Sequence, residues 1–258
     1  MKVITSSQNE LIKLIRSLHL KKNRHEQGLF LVEGLRSLEV MRASRHELVY
    51  LFCTSGTETA ALAFLAQNKS RLVVVSDAIM QAMSTQQSPQ DVIGVFRLPQ
   101  LIDLSTFWSG LVLYEISDPG NMGTIIRTAA ALKIPAIVCI GGVDPYSPKV
   151  VSASAGYLGR VDIFMSSWET FYAHADDAGI PLAALVVSGG EDMCSLPGGM
   201  GTFIVGNEAH GLPEAILQVI EKKLTIPMPG NTESLNAAIA TSIALYVNYM
   251  KMREIPCL

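Results

Sequence analysis

Short apolar runs rich in Val, Ile and Leu alternate with segments of helical periodicity along almost the whole chain, and most runs end at Gly, Pro or a polar turn. Residues 29–32, 48–53, 72–75 and 92–96 read as strands, with helices expected over 7–19, 35–43, 57–67 and 78–83 and an exposed turn over 21–24. After a connector, strands are expected at 111–114, 136–140, around Phe164, at 182–187, 203–205 and 224–226. Helices are expected over 124–132, 150–155, 170–178 and 235–251. Strands that alternate with helices are joined by crossovers, so this order dictates an α/β fold whose mostly parallel sheet is covered on both faces. The organisation expected is one unit over residues 1–98, a linker over 99–110 and a second unit over 111–258.

Composition narrows the classes. The chain has 258 residues, 49% of them hydrophobic, enough for one or two sizeable cores. No apolar run reaches the ~18 residues of a membrane span, and the opening MKVITSSQNE lacks the apolar centre of a secretory signal. Four scattered cysteines with no Cys-x-x-Cys pair, and histidines without ligand spacing, point away from a metal site and towards a reducing cytoplasm. Net charge is −3, yet the first 28 residues carry six Lys and Arg against two Glu. That local excess suits a surface facing a polyanion, or simply a solvated helix face.

Polar residues concentrate where strands end. The strand at 203–205 runs into Gly206-Asn207-Glu208, and the one at 224–226 into Pro227-Met228-Pro229-Gly230. A polar loop then delivers Ser234 and Asn236 to the start of the last helix. Ligand sites of α/β sheets lie at such carboxyl ends. Arg127 sits in a helix otherwise built of Ile and Ala, downstream of the turn signal Asp118-Pro119-Gly120-Asn121. Taken singly, each residue has a structural reading: Asn121 and Ser234 as helix caps, Glu208 as a turn cap, Asn236 as a backbone partner, Arg127 as a snorkelling side chain. No G-x-G-x-x-G follows a strand and no P-loop is present, which weighs against a nucleotide-binding oxidoreductase, a rival that binding of NAD against S-adenosylhomocysteine would separate.

As an ordered set, these residues resemble the SpoU (TrmH) family of RNA ribose 2′-O-methyltransferases, of the SPOUT class. Three segments carry the resemblance: Asn121-Met122-Gly123-Thr124-Ile125-Ile126-Arg127, then Gly206-Asn207-Glu208 with Gly211-Leu212, then Ile226-Pro227-Met228 with Ser234-Leu235-Asn236. Phe30-Leu31-Val32-Glu33-Gly34 and Lys22-Asn23-Arg24 resemble the family's ribosomal-protein-like substrate-binding domain. The resemblance implies a catalytic domain whose C-terminal part forms a trefoil knot, S-adenosylmethionine held by Gly206, Ile226, Met228 and Leu235, and a homodimer. It further implies catalytic roles for Arg127, Asn121, Glu208, Ser234 and Asn236. RNA, ribosomal RNA above all, is the implied partner, read in part by Lys13, Lys22 and Arg24, with no DNA or membrane involved. A transfer RNA target and a non-catalytic RNA-binding protein of the same fold are the alternatives.

Overall fold

The computed structural model describes residues 2–66, 68–86, 88–195, 201–230 and 232–253. The chain divides into two compact units, residues 1–100 with 144–160, and residues 101–143 with 161–258.

The first unit holds a five-stranded sheet of β1 (Lys2–Ile4), β2 (Leu29–Glu33), β3 (Leu48–Thr54), β4 (Leu72–Val75) and β5 (Val92–Arg97). The strand order is β1-β4-β3-β5-β2; β1, β4 and β3 run parallel, while β5 is antiparallel to both its neighbours. Helices α1 (Glu10–Ser17), α2 (Lys21–Gln27), α3 (Leu35–Arg42), α4 (Glu58–Phe64) and α5 (Asp77–Met83) lie among its strands in the chain. Asn9 caps α1 by accepting from the Leu11 amide at 3.0 Å, and Ile12 and Ile15 turn its apolar stripe into the core. The turn expected over 21–24 is instead the first half of α2, which stops at Gly28 in the left-handed region.

Arg24 explains why that helix is fixed. It is 2% exposed, and its guanidinium donates through Nε to Asp144 at 3.0 Å and through Nη2 to the same oxygen at 2.5 Å. Nη1 bonds the Leu18 and His19 carbonyls, both at 2.9 Å. Asp144 is itself buried and accepts from the Tyr146 amide at 2.9 Å. Arg24 is therefore a buried strut, a correction to its expected RNA contact, whereas Lys13 and Lys22 stay exposed.

The same contact shows why the first unit does not end near residue 98. The segment 144–160, with the short helix Pro148–Ala153, belongs to it. Tyr146 packs edge-on to Phe30 with ring centroids 5.2 Å apart. Gly156 lies so close to Ser37 that a Cβ would stand 2.3 Å from its carbonyl oxygen.

The second unit is a seven-stranded sheet: β6 (Leu111–Tyr114), β7 (Ala136–Ile140), β8 (Asp162–Ser166), β9 (Leu182–Leu185), β10 (Glu191–Asp192), β11 (Thr202–Val205) and β12 (Lys222–Thr225). Every pairing in the order β10-β12-β9-β11-β6-β7-β8 is parallel. For clarity the helix that follows β6, Pro119–Ala131, is termed the β6 helix, and the last helix, Ala237–Met252, the terminal helix. The β6 helix starts five residues earlier than the periodicity indicates, because Asp118 caps it (2.7 Å to the Asn121 amide) and Pro119 opens its first turn. From β6 the chain moves outward to β7 and β8, then returns to build β9, β11 and β12 on the other side. The carboxyl ends of β6 and β11 meet at this reversal, in register through Leu113 and Val205. That is where an open parallel sheet offers a crevice.

Candidate active site

A cleft of about 350 Å3 opens at the carboxyl ends of β9, β11 and β12. Leu185 to Val187, Val205, Leu224, Ile226 and Leu235 give it apolar walls, and the loop from Gly206 to Gly211 contributes backbone. All four residues expected to hold the cofactor, Gly206, Ile226, Met228 and Leu235, line it, as do Glu208 and Ser234. An apolar slot edged by main-chain polar groups suits a flat adenine base carrying a polar tail.

Gly206 is required by the loop itself. A Cβ there would stand 2.3 Å from the Gly211 carbonyl carbon and 2.6 Å from the Leu212 nitrogen. The loop folds back on itself through paired Asn207 and Gly211 backbone bonds of 3.0 and 2.8 Å. The Asn207 side chain ties it down, donating to the Glu115 carbonyl at 2.8 Å and accepting from the Ala209 and His210 amides. Gly206→Ala should force this loop open and weaken S-adenosylhomocysteine binding about tenfold, with global unfolding little changed. Calorimetric titration of the variant checks this; unaltered affinity would show that the loop's closure does not shape the cleft.

Glu208 connects the loop to the β6 helix. Oε2 accepts from the Ser117 amide (3.1 Å) and hydroxyl (3.0 Å), and Oε1 from the Asp118 amide (3.1 Å) and the Asn121 side chain (2.9 Å). The Asn121 oxygen in turn accepts from Asn236 Nδ2 at 2.9 Å, and Asn236 caps the terminal helix through the Ala238 and Ile239 amides. Three of the expected catalytic residues thus join the cleft loop, the β6 helix and the terminal helix in one chain of hydrogen bonds. Thr128 and Ser242 add a hydroxyl pair at 3.0 Å between the same two helices.

Partial desolvation pulls the Glu208 carboxyl up, but the Asn121 amide and then the backbone N–H groups, Ser117 first, outweigh it and lower its pKa from 4.5 to about 2. A depressed folded-state pKa means that this stabilisation is present in full above the ordinary glutamate range and is lost as pH falls towards 2. The stability difference between the parent and Glu208→Gln should be constant above about pH 5 and shrink between 4.5 and 2. Urea unfolding across that range reads it; a pH-independent difference would mean that the carboxylate charge carries no part of the link.

Arg127 and Ser234 differ from these braced residues. Arg127 is exposed on the β6 helix, on the face shared with Gly120, Thr124 and Ala131, and has no polar partner among the described residues. It does not line the cleft. Ser234 lines the cleft with a hydroxyl that bonds no other described residue. The residues missed from sequence are the exit of β9, Val186 and Val187, and Asn207. The Ser188-Gly189-Gly190 turn marked that exit as a strand end, and Asn207 lay inside a recognised segment.

Comparison with known proteins agrees with this geometry. The profile of the SpoU rRNA methylase family matches residues 109–246, and that of the MRM3-like substrate binding domain matches residues 9–94. An uncharacterized tRNA/rRNA methyltransferase of Synechocystis is 32% identical, over 94% of this chain and 92% of its own length. The 23S rRNA (guanosine(2553)-2′-O)-methyltransferase RlmP of Bacillus subtilis is 27% identical, over 95% and 98%. A crystal structure of an AdoMet-bound rRNA methyltransferase from Sinorhizobium meliloti superposes with a TM-score of 0.87 at 28% identity, covering 97% of this chain and 98% of that one. On matching segments, cleft and fold together, the chain belongs to the SpoU rRNA methylase family.

Proposed function

We propose that this protein transfers a methyl group from S-adenosylmethionine to a ribose 2′-hydroxyl of ribosomal RNA, in the 23S molecule. The observation that carries the reading is the union of an apolar cleft at the strand ends with a hydrogen-bonded frame, Glu208 to Asn121 to Asn236, that fixes the helix bearing Arg127. Bound in the cleft, S-adenosylmethionine supplies an electrophilic methyl on a sulfonium. Arg127 is free to hold the 2′-hydroxyl or its neighbouring phosphate, and its permanent charge lowers the cost of losing the hydroxyl proton to solvent. Transfer would join the 2′-oxygen to that methyl carbon as its bond to sulfur breaks, with S-adenosylhomocysteine as the leaving group. Asn121, Glu208 and Asn236 act as positioning residues, since their side-chain polar groups are engaged with one another and with backbone. Ser234 supplies a hydroxyl on the cleft wall that has no partner among the described residues. The choice of 23S RNA is supported by the Bacillus relative, matched over nearly the full length of both chains.

The same reading includes a homodimer, a trefoil knot in the C-terminal part of the catalytic domain and residence in the cytoplasm. The dimer is supported by Ile239, Ile243 and Tyr246, which are 52%, 36% and 53% exposed. They recur at helical spacing on the terminal helix, an apolar stripe that water would otherwise face. Light scattering should report a dimer, and Tyr246→Glu a monomer with reduced transfer; a monomeric parent would refute this part. The knot is supported by the family match together with the 206–211 loop and Ile226, Met228, Ser234 and Leu235 lining one cleft. Mapping ribose methylation in ribosomal RNA from cells with and without the protein tests the activity: one or more 2′-O-methyl sites should disappear, and an unchanged map would overturn it.

A further inference from the structure

A second cavity, of about 330 Å3, lies in the first unit, remote in sequence from every residue of the cleft. Leu48 and Phe96 give it an apolar floor at the beginning of β3 and on β5, and Phe64 forms a side. Arg42, Arg71 and His46 bring nitrogen to its walls. We propose that this cavity binds one unstacked nucleobase of the RNA substrate, a recognition subsite separate from the methyl-transfer centre. The inference rests on the RNA reading given above.

Three features favour a base. The Arg42 guanidinium lies over the Phe64 ring at 4.7 Å and donates to the Phe64 carbonyl at 2.7 Å, so a planar cation is already held in place. Arg71 is likewise anchored, through the Leu48 carbonyl and the Glu47 carboxylate at 3.5 Å. Guanidinium and aromatic planes are the surfaces on which splayed RNA bases stack, and anchoring them beforehand reduces the ordering cost of binding. Both side chains remain partly exposed, 48% for Arg42 and 38% for Arg71, leaving donors for an adjacent phosphate. Glu39 and Glu47 pair with them at 3.5 Å and temper the charge, which favours a stacked base over a bare anion.

His46 supplies the third. Its ring bonds the Arg97 backbone, and burial, then the nearby Arg45 charge, lowers its pKa and keeps it neutral. Its Nδ1 is buried with no hydrogen-bond partner among the described residues. An acceptor in that state matches the N–H groups on a base edge.

The test uses the full-length protein, its Arg71→Gln variant, the four nucleoside 5′-monophosphates and bulk deproteinised ribosomal RNA. The His46 imidazole resonances should shift saturably with at least one monophosphate, and Arg71→Gln should weaken that binding about tenfold. In methyl transfer, Arg71→Gln should raise KM for RNA about tenfold while kcat and S-adenosylhomocysteine affinity stay unchanged. Unmoved His46 signals with an unchanged KM would overturn the proposal. Monophosphate binding with an unchanged KM would make the cavity a site for free nucleotide and overturn its role in RNA. Absence of any RNA methylation by the parent protein would instead refute the proposed function, leaving the monophosphate titration as the separate reading of the cavity.

Discussion

Arg127→Ala should leave S-adenosylhomocysteine affinity unchanged and lower kcat for methyl transfer by about 10^2–10^3, the loss seen when one preorganised donor is removed from a developing oxyanion. The separation follows from placement. Arg127 stands outside the cleft lining, so its removal does not touch the cofactor's walls. It also has no polar partner among the described residues, so no buried group is orphaned when it goes. Arg127→Lys keeps the charge and loses the planar fork, and should recover only part of the rate. Single-turnover transfer alongside calorimetry separates the two quantities; a normal rate in Arg127→Ala would remove this residue from the chemistry.

Arg24→Ala should cost about 3–5 kcal/mol of stability, because truncation leaves the buried Asp144 carboxylate without its counter-charge. It also frees the Leu18 and His19 carbonyls that the guanidinium now satisfies. The double replacement Arg24→Met with Asp144→Leu removes both charges and should be far closer to neutral. Urea unfolding of the three proteins measures this. A small loss in Arg24→Ala would mean that the pair is not the strut its 3% and 5% side-chain exposures indicate. Lys22→Ala, on the exposed surface, should leave stability almost unaltered and serves as the control.

Arg24 also shows where sequence reading gave out. Lys21-Lys22-Asn23-Arg24 looks uniformly solvated, and only a partner 120 residues away separates Arg24 from its neighbours. The same long-range packing draws 144–160 into the first unit, which no composition shift announces. Strand β1 is three residues long and acquires its identity from pairing with β4, so its local signal was too short to read. By contrast, the alternation of apolar runs and helices specified the parallel second sheet, because burial on both faces demands continuous apolar strands.

The site was legible to a different depth. Gly206, Ile226, Met228 and Leu235 converge on one cleft because they follow β11 and β12, the two strands that flank β9. The bracing of Glu208 by Asn121, Ser117 and Asp118 depends on β6 lying beside β11, an adjacency that no linear spacing specifies. Sequence therefore named these polar residues without dividing them into those that bond one another and those, Arg127 and Ser234, with no polar partner among the described residues.

Ribosomal RNA incubated with the protein and isotopically labelled S-adenosylmethionine, then digested to nucleosides and resolved by mass, tests the central claim most directly. The label should reside on ribose as a 2′-O-methylnucleoside, and should fall with Arg127→Ala. Label on a base, or no transfer from a protein that binds the cofactor, would contradict it.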